Sequence, residues 1–216
     1  MDNHHIFGEV IVNIPAPELV ANNYILPPKV AVTKLTPRDG NNSYEEDADV
    51  ILSHLDTHNV KKLLVCARTT AQIRGMISTT DLCAVLNARG YSWLSITSKN
   101  GAIIDGNKVH REDFFKTLNK WGKDDNKKFI VIHHSILSEG INVTGLESAL
   151  FLRNMNYITI SQTIGRVIRT GNVSKTYGLI CVPVYDKVGI TTAKKVSSVV
   201  DTIFHKGEAA TTTIKR

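Results

Sequence analysis

The sequence contains no CxxC pair. Its three cysteines, Cys66, Cys83 and Cys181, lie far apart. Neither a cysteine metal cluster nor a disulfide framework is therefore expected, and each reads as a buried thiol in a cytosolic chain. No apolar run approaches the ~20 residues of a membrane-spanning helix. The opening MDNHHIFGEVIV carries Asp and His where a secretory signal is basic and then apolar. Membrane partners are thus not expected. No internal repeat and no low-complexity tract is present. A glycine-rich strand-to-helix turn is also missing, which excludes a self-contained dinucleotide-binding enzyme. Acidic residues are outnumbered, 20 against 26 Lys plus Arg, giving a formal net charge of +6. That balance favours contact with polyanions without establishing it.

What remains is an ordinary globular mixture, 42% hydrophobic and 21% charged over 216 residues, enough for one sizeable domain with or without an appendage. Residues 8–37 form a lead-in. Pro15, Pro17, Pro27 and Pro28 forbid one continuous helix there, although PELVANNYI suits a short helical turn between extended pieces. This stretch reads as connecting structure rather than core. SYEEDADVILSHLDTHN then reads as a helix, with Ser43 as a candidate cap and its acidic residues as a solvated first turn.

From there the chain alternates. KKLLVCA, SWLSITS, KKFIVIHHS and YGLICVPV are strand-like. TTAQIRGMISTTDLCAVLNARG holds one helix or a pair, and REDFFKTLNKWG is an amphipathic helix. NGAIIDGNKV has two turn signals, and LESALFLR suits strand or helix. EAATTTIKR looks frayed. Alternation at this spacing implies an α/β fold with a mostly parallel sheet covered by helices. Sites in such a fold lie beyond the C-terminal ends of the strands. His133 and His134 are adjacent on a strand and point to opposite faces, so a joint metal site is not expected. Trp93 and Trp121 read as core residues rather than base-stacking platforms. Lys123, Lys127 and Lys128 read as a solvated basic cluster.

One segment stands apart. In ITISQTIGRVIR, residues 158–169, helical spacing places Gln162, Arg166 and Arg169 on one face. Ile160, Ile164, Val167 and Ile168 lie on the neighbouring side, which can bury. Gly165, beside the polar row, costs about 1 kcal/mol relative to alanine in a helix. Such a glycine suits a site where something passes close to the backbone. Two arginines one turn apart repel unless an anion or carboxylate is near. Helix geometry leaves two readings open: a solvated face meeting acidic neighbours, or a phosphate clamp.

QTIGRVIR resembles motif VI of superfamily 2 helicases, QxxGRxxR, with all four fixed positions present. Just upstream, SILSEGINVTGLESALFLR resembles motif V. KKLLVCARTTAQIRGM resembles the motif IV strand and the helix after it. The remaining elements follow in the family's order, so the resemblance covers roughly residues 30–185. The lead-in resembles the passage out of the first domain in restriction-type and XPB-like members. The resemblance implies a RecA-like three-layer fold, the C-terminal motor domain of a P-loop NTPase-like helicase. It divides the chain into a lead-in at 1–29, a RecA-like domain at 30–205 and a tail at 206–216.

The departures are equally informative. No GxxxxGK[ST] loop and no D-E-x-[DH] carboxylate pair occurs. EEDAD at 45–49 precedes a helix rather than ending a strand. The resemblance therefore implies half of an ATPase. ATP and Mg2+ would be held mainly by an N-terminal RecA-like domain, in cis or in trans, and this chain alone would be inactive. By match to motif VI, Arg169 is the candidate arginine finger, Arg166 contacts the γ-phosphate or closes the cleft, and Gln162 bonds phosphate, water or the opposing domain. Gly165 permits close approach. In motif V, Gly140 marks a turn near the ligand and Asn142 contacts the nucleotide ribose. Glu139 is a candidate partner for the arginines.

Candidate contacts to nucleic-acid phosphates are Arg68 and Thr69, then Ser98, Lys99 and Asn100, then Ser135 and Ser138. The implied partner is single-stranded or duplex DNA, or RNA, in a compartment that holds nucleic acid. The alternative is a non-enzymatic RecA-like module that binds nucleic acid or protein. The two motif VI arginines argue against it, because a finger serves no purpose without a phosphate.

Overall fold

A computed structural model describes residues 13–36, 43–98, 100–134, 143–171, 175–185 and 189–208. In chain order its elements are α1 (Ala16–Ala21), β1 (Pro28–Leu35), α2 (Ser43–His58), β2 (Lys62–Cys66), α3 (Thr70–Thr79), α4 (Leu82–Ala88), β3 (Ser92–Thr97), β4 (Gly101–Ile104), β5 (Asn107–Val109), α5 (Arg111–Lys123), β6 (Phe129–His133), β7 (Ser148–Phe151), α6 (Tyr157–Val167), β8 (Gly178–Tyr185) and α7 (Ile190–Val199). A π-helical turn, Val200–His205, continues α7.

Among the described residues eight strands form one sheet in the order β1-β8-β7-β2-β6-β3-β4-β5. Pairing is parallel from β1 through β3, and the β4–β5 hairpin adds an antiparallel edge. Every residue of β2 and β6 is buried. Such continuous apolar runs belong to parallel strands covered on both faces. Alternation then sorts the side chains. Leu63, Val65, Ile130, Ile132, Leu179 and Cys181 pack against α2, α3 and α4. Leu64, Cys66, Phe129, Val131, Ile180 and Val182 pack against α5, α6 and α7. The result is three layers.

The lead-in differs from the expectation of mere connecting structure. Its residues 28–35 form an edge strand paired along its length with β8. Proline is tolerated there because Pro28 begins the strand and, among the described residues, the other side of β1 has no partner strand. NGAIIDGNKV forms the β4–β5 hairpin, with Asp105 (φ 45°) and Gly106 (φ 87°) at its turn. LESALFLR becomes β7 despite its helix-prone composition. The site between β2 and β8 is fully buried, and ladder pairing overrides propensity.

Helix α7 lies beyond the elements anticipated from the sequence. Thr191 and Thr192 are poor helix formers, and the helix is held by Ala193, Val196 and Val199 packing into the core. Helix α2 starts at Ser43, so EEDAD lies within it rather than before it. That acidic run is not simply solvated, because Asp47 is 4% exposed. Trp93 is 5% exposed and belongs to the core. Lys127 is not merely solvated either: its ammonium donates to Ser92 Oγ at 2.7 Å and lies 4.2 Å from the Trp121 ring centroid. No described helix is long and apolar enough to cross a membrane.

Candidate functional site

Parallel strands β2, β6, β7 and β8 all end at one edge of the sheet. Helix α6 begins at that edge and runs back to the edge where β1 and β8 begin. Asn156 caps it by accepting from Thr159 N–H at 2.8 Å. Ile160, Ile164 and Val167 are fully buried against the sheet, each contributing about 1.5–3 kcal/mol by removal from water. That anchoring fixes the rotation of the helix and leaves Gln162 exposed on the opposite side.

The expectation that Gln162, Arg166 and Arg169 share one helical face is corrected. Helix α6 ends at Val167, with Ile168 as its C-cap, and Arg169 lies beyond it. The physical reason is competition for backbone partners. Leu26 N–H donates to Ile168 O at 2.7 Å, and Ile25 forms an antiparallel bridge with Arg169. The Lys175 ammonium donates to the carbonyls of Leu146 and Val167, and at 3.5 Å to that of Arg169. A lysine at a helix C-terminus satisfies orphan carbonyls and complements the dipole.

Arg166 remains on α6 and is 7% exposed. Burial lowers its pKa from the usual value, and the neighbouring Arg169 charge lowers it further. Two positive charges are thus gathered at the end of one helix. A Cβ built on Gly165 meets no heavy atom within 4 Å. The glycine therefore leaves open space beside the arginines, and no described part of this chain needs it.

Beneath Arg166, Cys66 Sγ lies 3.4 Å from His133 Nε2. Burial pushes the Cys66 thiol up to about 12, against the pull of Arg153 and Arg166. Burial also pushes His133 down to about 3, with Arg153, Arg166 and His134 adding to it. Both groups are neutral near pH 7, so this is a packed pair and not a thiolate nucleophile with its base. His134 follows the strand and is only half-buried.

On the other face of the edge, Arg68 follows β2 and is held in place. It donates to Asp47 Oδ2 at 2.9 Å with a side chain 47% exposed. Gln72 Nε2 also donates to Asp47, and Gln72 Oε1 accepts from Arg68 N–H at 2.5 Å. Burial raises the Asp47 pKa, against Gln72 and Arg68. Thr69 caps α3 by accepting from Gln72 N–H at 3.0 Å. A cleft of about 300 Å3 lies here, lined by Asp47, Arg68, Arg153, Asn154 and Thr192 among others.

The structure therefore brings Arg68 and Thr69 together, and separately Arg166, Arg169 and Gly165. After β3, Ser98 is exposed, and Asn100 N–H donates to Thr97 Oγ1 at 2.8 Å. Asn100 lines a different cleft with Arg74 and Lys108. Lys99, Ser135, Ser138, Glu139, Gly140 and Asn142 lie outside the described residues.

Three contributors escaped sequence reasoning. Arg153 follows β7 and shares the cleft with Arg68, and its Nε is buried without a hydrogen-bond partner. The signal was an arginine directly after a buried strand. Asp47 was hidden in an acidic run, and Lys175 in a loop. Neither has a local pattern, because each acts on residues distant in sequence.

No protein-family profile matches this chain, and no curated protein matches it by sequence. Solved structures do. One is the ATP-dependent Type ISP restriction-modification enzyme LlaBIII bound to DNA, at a TM-score of 0.63 and 17% identity over 94% of this chain. Another is a fragment assigned to the HsdR subunit of a type I restriction enzyme from Vibrio vulnificus YJ016, at 0.61 and 14% over 89%. The chain spans 16% and 38% of the length of those two chains. The likeness is one of fold, three α/β layers around a mostly parallel sheet.

Proposed function

We propose that this chain acts as the C-terminal motor domain of an ATP-dependent DNA or RNA helicase or translocase. It supplies Arg166 and Arg169 to an ATP site shared with an N-terminal RecA-like domain. The observation that carries this reading is the pairing of two guanidinium charges at the end of α6, one of them 7% exposed, beside the open space at Gly165. A phosphate anion suits two guanidinium groups.

The described donors fit a phosphate and not a magnesium ion. At the C-terminal strand ends stand Arg68 and Arg153, and the carboxylate beside them, Asp47, is committed to Arg68 and Gln72, while Arg166 and Arg169 stand apart at the C-terminal end of α6. Mg2+ and the water-activating group belong to the opposing domain. ATP provides the γ-phosphoryl group that is transferred to water. Arg169 neutralises charge on that group in the transition state, a role worth about 10³–10⁵-fold in rate elsewhere. Arg166 holds the same phosphate, and Gln162, on the exposed side of α6, meets water or the opposing domain. In motif V, the resemblance assigns Asn142 to the ribose, Gly140 to a turn near the ligand and Glu139 to pairing with the arginines.

Nucleic acid is gripped by its phosphates through Arg68 and Thr69, with Ser98, Lys99, Asn100, Ser135 and Ser138 completing the track. The match to LlaBIII, a DNA-bound and ATP-dependent enzyme, supports DNA as the first polymer to test. Pure chain should hydrolyse no ATP. Joined by a P-loop RecA-like domain, it should show turnover stimulated by the preferred polymer among single-stranded DNA, duplex DNA and RNA. Turnover by the 216-residue chain alone, or no stimulation by any polymer, would sink the reading.

A further inference from the structure

We propose that His54, His58 and Cys181 form a site for a zinc-class divalent metal, tying helix α2 to strand β8. His54 and His58 are one helical turn apart, and their ring centroids are 4.9 Å apart. Cys181 reaches the same point from the sheet. One ligand atom from each of the three lies within 4.8 Å of the others.

The surroundings carry the argument further. His54 is 4% exposed, and its Nε2 is engaged with Ser148 Oγ at 2.8 Å. That leaves Nδ1, which is buried and has no hydrogen-bond partner. A buried ring nitrogen without a partner is rare and calls for an explanation. A metal supplies one. Ligating histidines ordinarily bond an outer partner through their other nitrogen, which is the role Ser148 takes here. Thr33 Oγ1 lies 3.4 Å from Cys181 Sγ and can donate to the thiolate once it forms.

Two imidazoles and one thiolate suit zinc better than calcium or magnesium, which prefer oxygen. On binding, the Cys181 thiol loses its proton to solvent, and both histidines coordinate in their neutral form. The fourth position falls to water. His58 is half-buried and lines a cleft of about 280 Å3 with Lys61, Glu147, Lys175 and Tyr177, which offers the ion a way in. The lack of CxxC concealed the site, because its ligands come from an i,i+4 histidine pair and a cysteine 123 positions after His58 (181 − 58). Cys181 lies on the α2 side of the sheet, opposite α6. The site is thus independent of the proposed ATP chemistry.

The test uses the whole chain, stripped with chelator and titrated with Co2+ and then Zn2+. One equivalent of Co2+ should produce visible d–d bands and a near-ultraviolet thiolate-to-cobalt band, and zinc should abolish both. Zinc should raise Tm by roughly 5–10 °C at about 100 times Kd. Cys181→Ser and His58→Gln should each lose the thiolate band, and Cys83→Ser should keep it. Ser148→Ala should weaken binding by about 10–100-fold. Failure to bind one equivalent overturns the proposal. So does a thiolate band that survives in His58→Gln with native circular dichroism, a variant whose half-buried position tolerates the change if Cys181→Ser fails to fold.

Discussion

Replacing Lys175 with methionine isolates the group that ends α6 and fixes where Arg169 leaves it. The ammonium donates to the carbonyls of Leu146, Val167 and Arg169. Burial, the largest influence, brings the Lys175 pKa down from 10.5 to about 8, with Glu147 opposing and Lys62 assisting. Near pH 7 the lysine is charged in both folded and unfolded chains, and the folded state bears the full cost of its desolvation. As pH rises past about 8 the folded chain releases the proton, while the unfolded chain keeps it until about 10.5. Stability from this group is therefore present at high pH and lost as pH falls through about 8.

At about 1.4 kcal/mol per pH unit the gap amounts to about 3 kcal/mol, of which about 2–3 kcal/mol develops between pH 7 and pH 10. Methionine keeps the apolar stem and loses the carbonyl bonds, at about 1–3 kcal/mol for each group left unsatisfied. Near pH 7 the two effects offset. Urea unfolding of wild type and Lys175→Met at both pH values gives the comparison, in which other titrating groups cancel. The variant should fall behind wild type by about 2–3 kcal/mol more at pH 10 than at pH 7. An equal difference at the two pH values would refute the burial argument for Lys175.

Other outcomes follow from the same structure. Gly145 has φ 79°, and a Cβ there would sit 1.9 Å from Gly122 O. Gly145→Ala should cost about 2–5 kcal/mol in urea unfolding, and a loss under about 0.5 kcal/mol would contradict the packing of residue 145 on α5. Asp47 has a pKa raised by burial, so its ionisation costs folding energy as pH climbs from the acid range to neutral. Asp47→Asn should therefore gain on wild type over that window, and a pH-independent difference would argue against it. Arg68→Ala, removing a half-exposed guanidinium, should weaken nucleic-acid binding in anisotropy titrations and reduce the salt slope by about one. An unchanged slope would remove Arg68 from the phosphate track.

The layered sheet was legible because its strands are short apolar runs and its helices are periodic. The same periodicity carried the α6 helix too far. Hydrophobic spacing continues through Ile168, but the carbonyls at its end accept from Leu26 N–H and the Lys175 ammonium, which no local pattern reveals. The edge strand β1 was hidden by its prolines, whose effect depends on which side of the strand is paired. Helix α7 was hidden by threonines that only tertiary packing makes helical. The resemblance singled out Arg166, Arg169 and Arg68 as candidates. It did not single out Arg153, which shares the cleft with Arg68, or Asp47, whose partners Arg68 and Gln72 stand 21 and 25 positions along the chain. The Cys66–His133 pair shows the converse, since two chemically suggestive side chains meet and burial leaves both neutral.

The central claim is that Arg169 acts on a phosphate held by another domain. Its most direct test is ATP turnover by the chain together with a P-loop RecA-like domain, comparing wild type with Arg169→Ala, alongside nucleic-acid affinity. Turnover should fall by about 10³-fold or more, with affinity for nucleic acid within about threefold of wild type. Turnover that survives the substitution, or that is lost only because nucleic-acid binding is lost, would contradict the account.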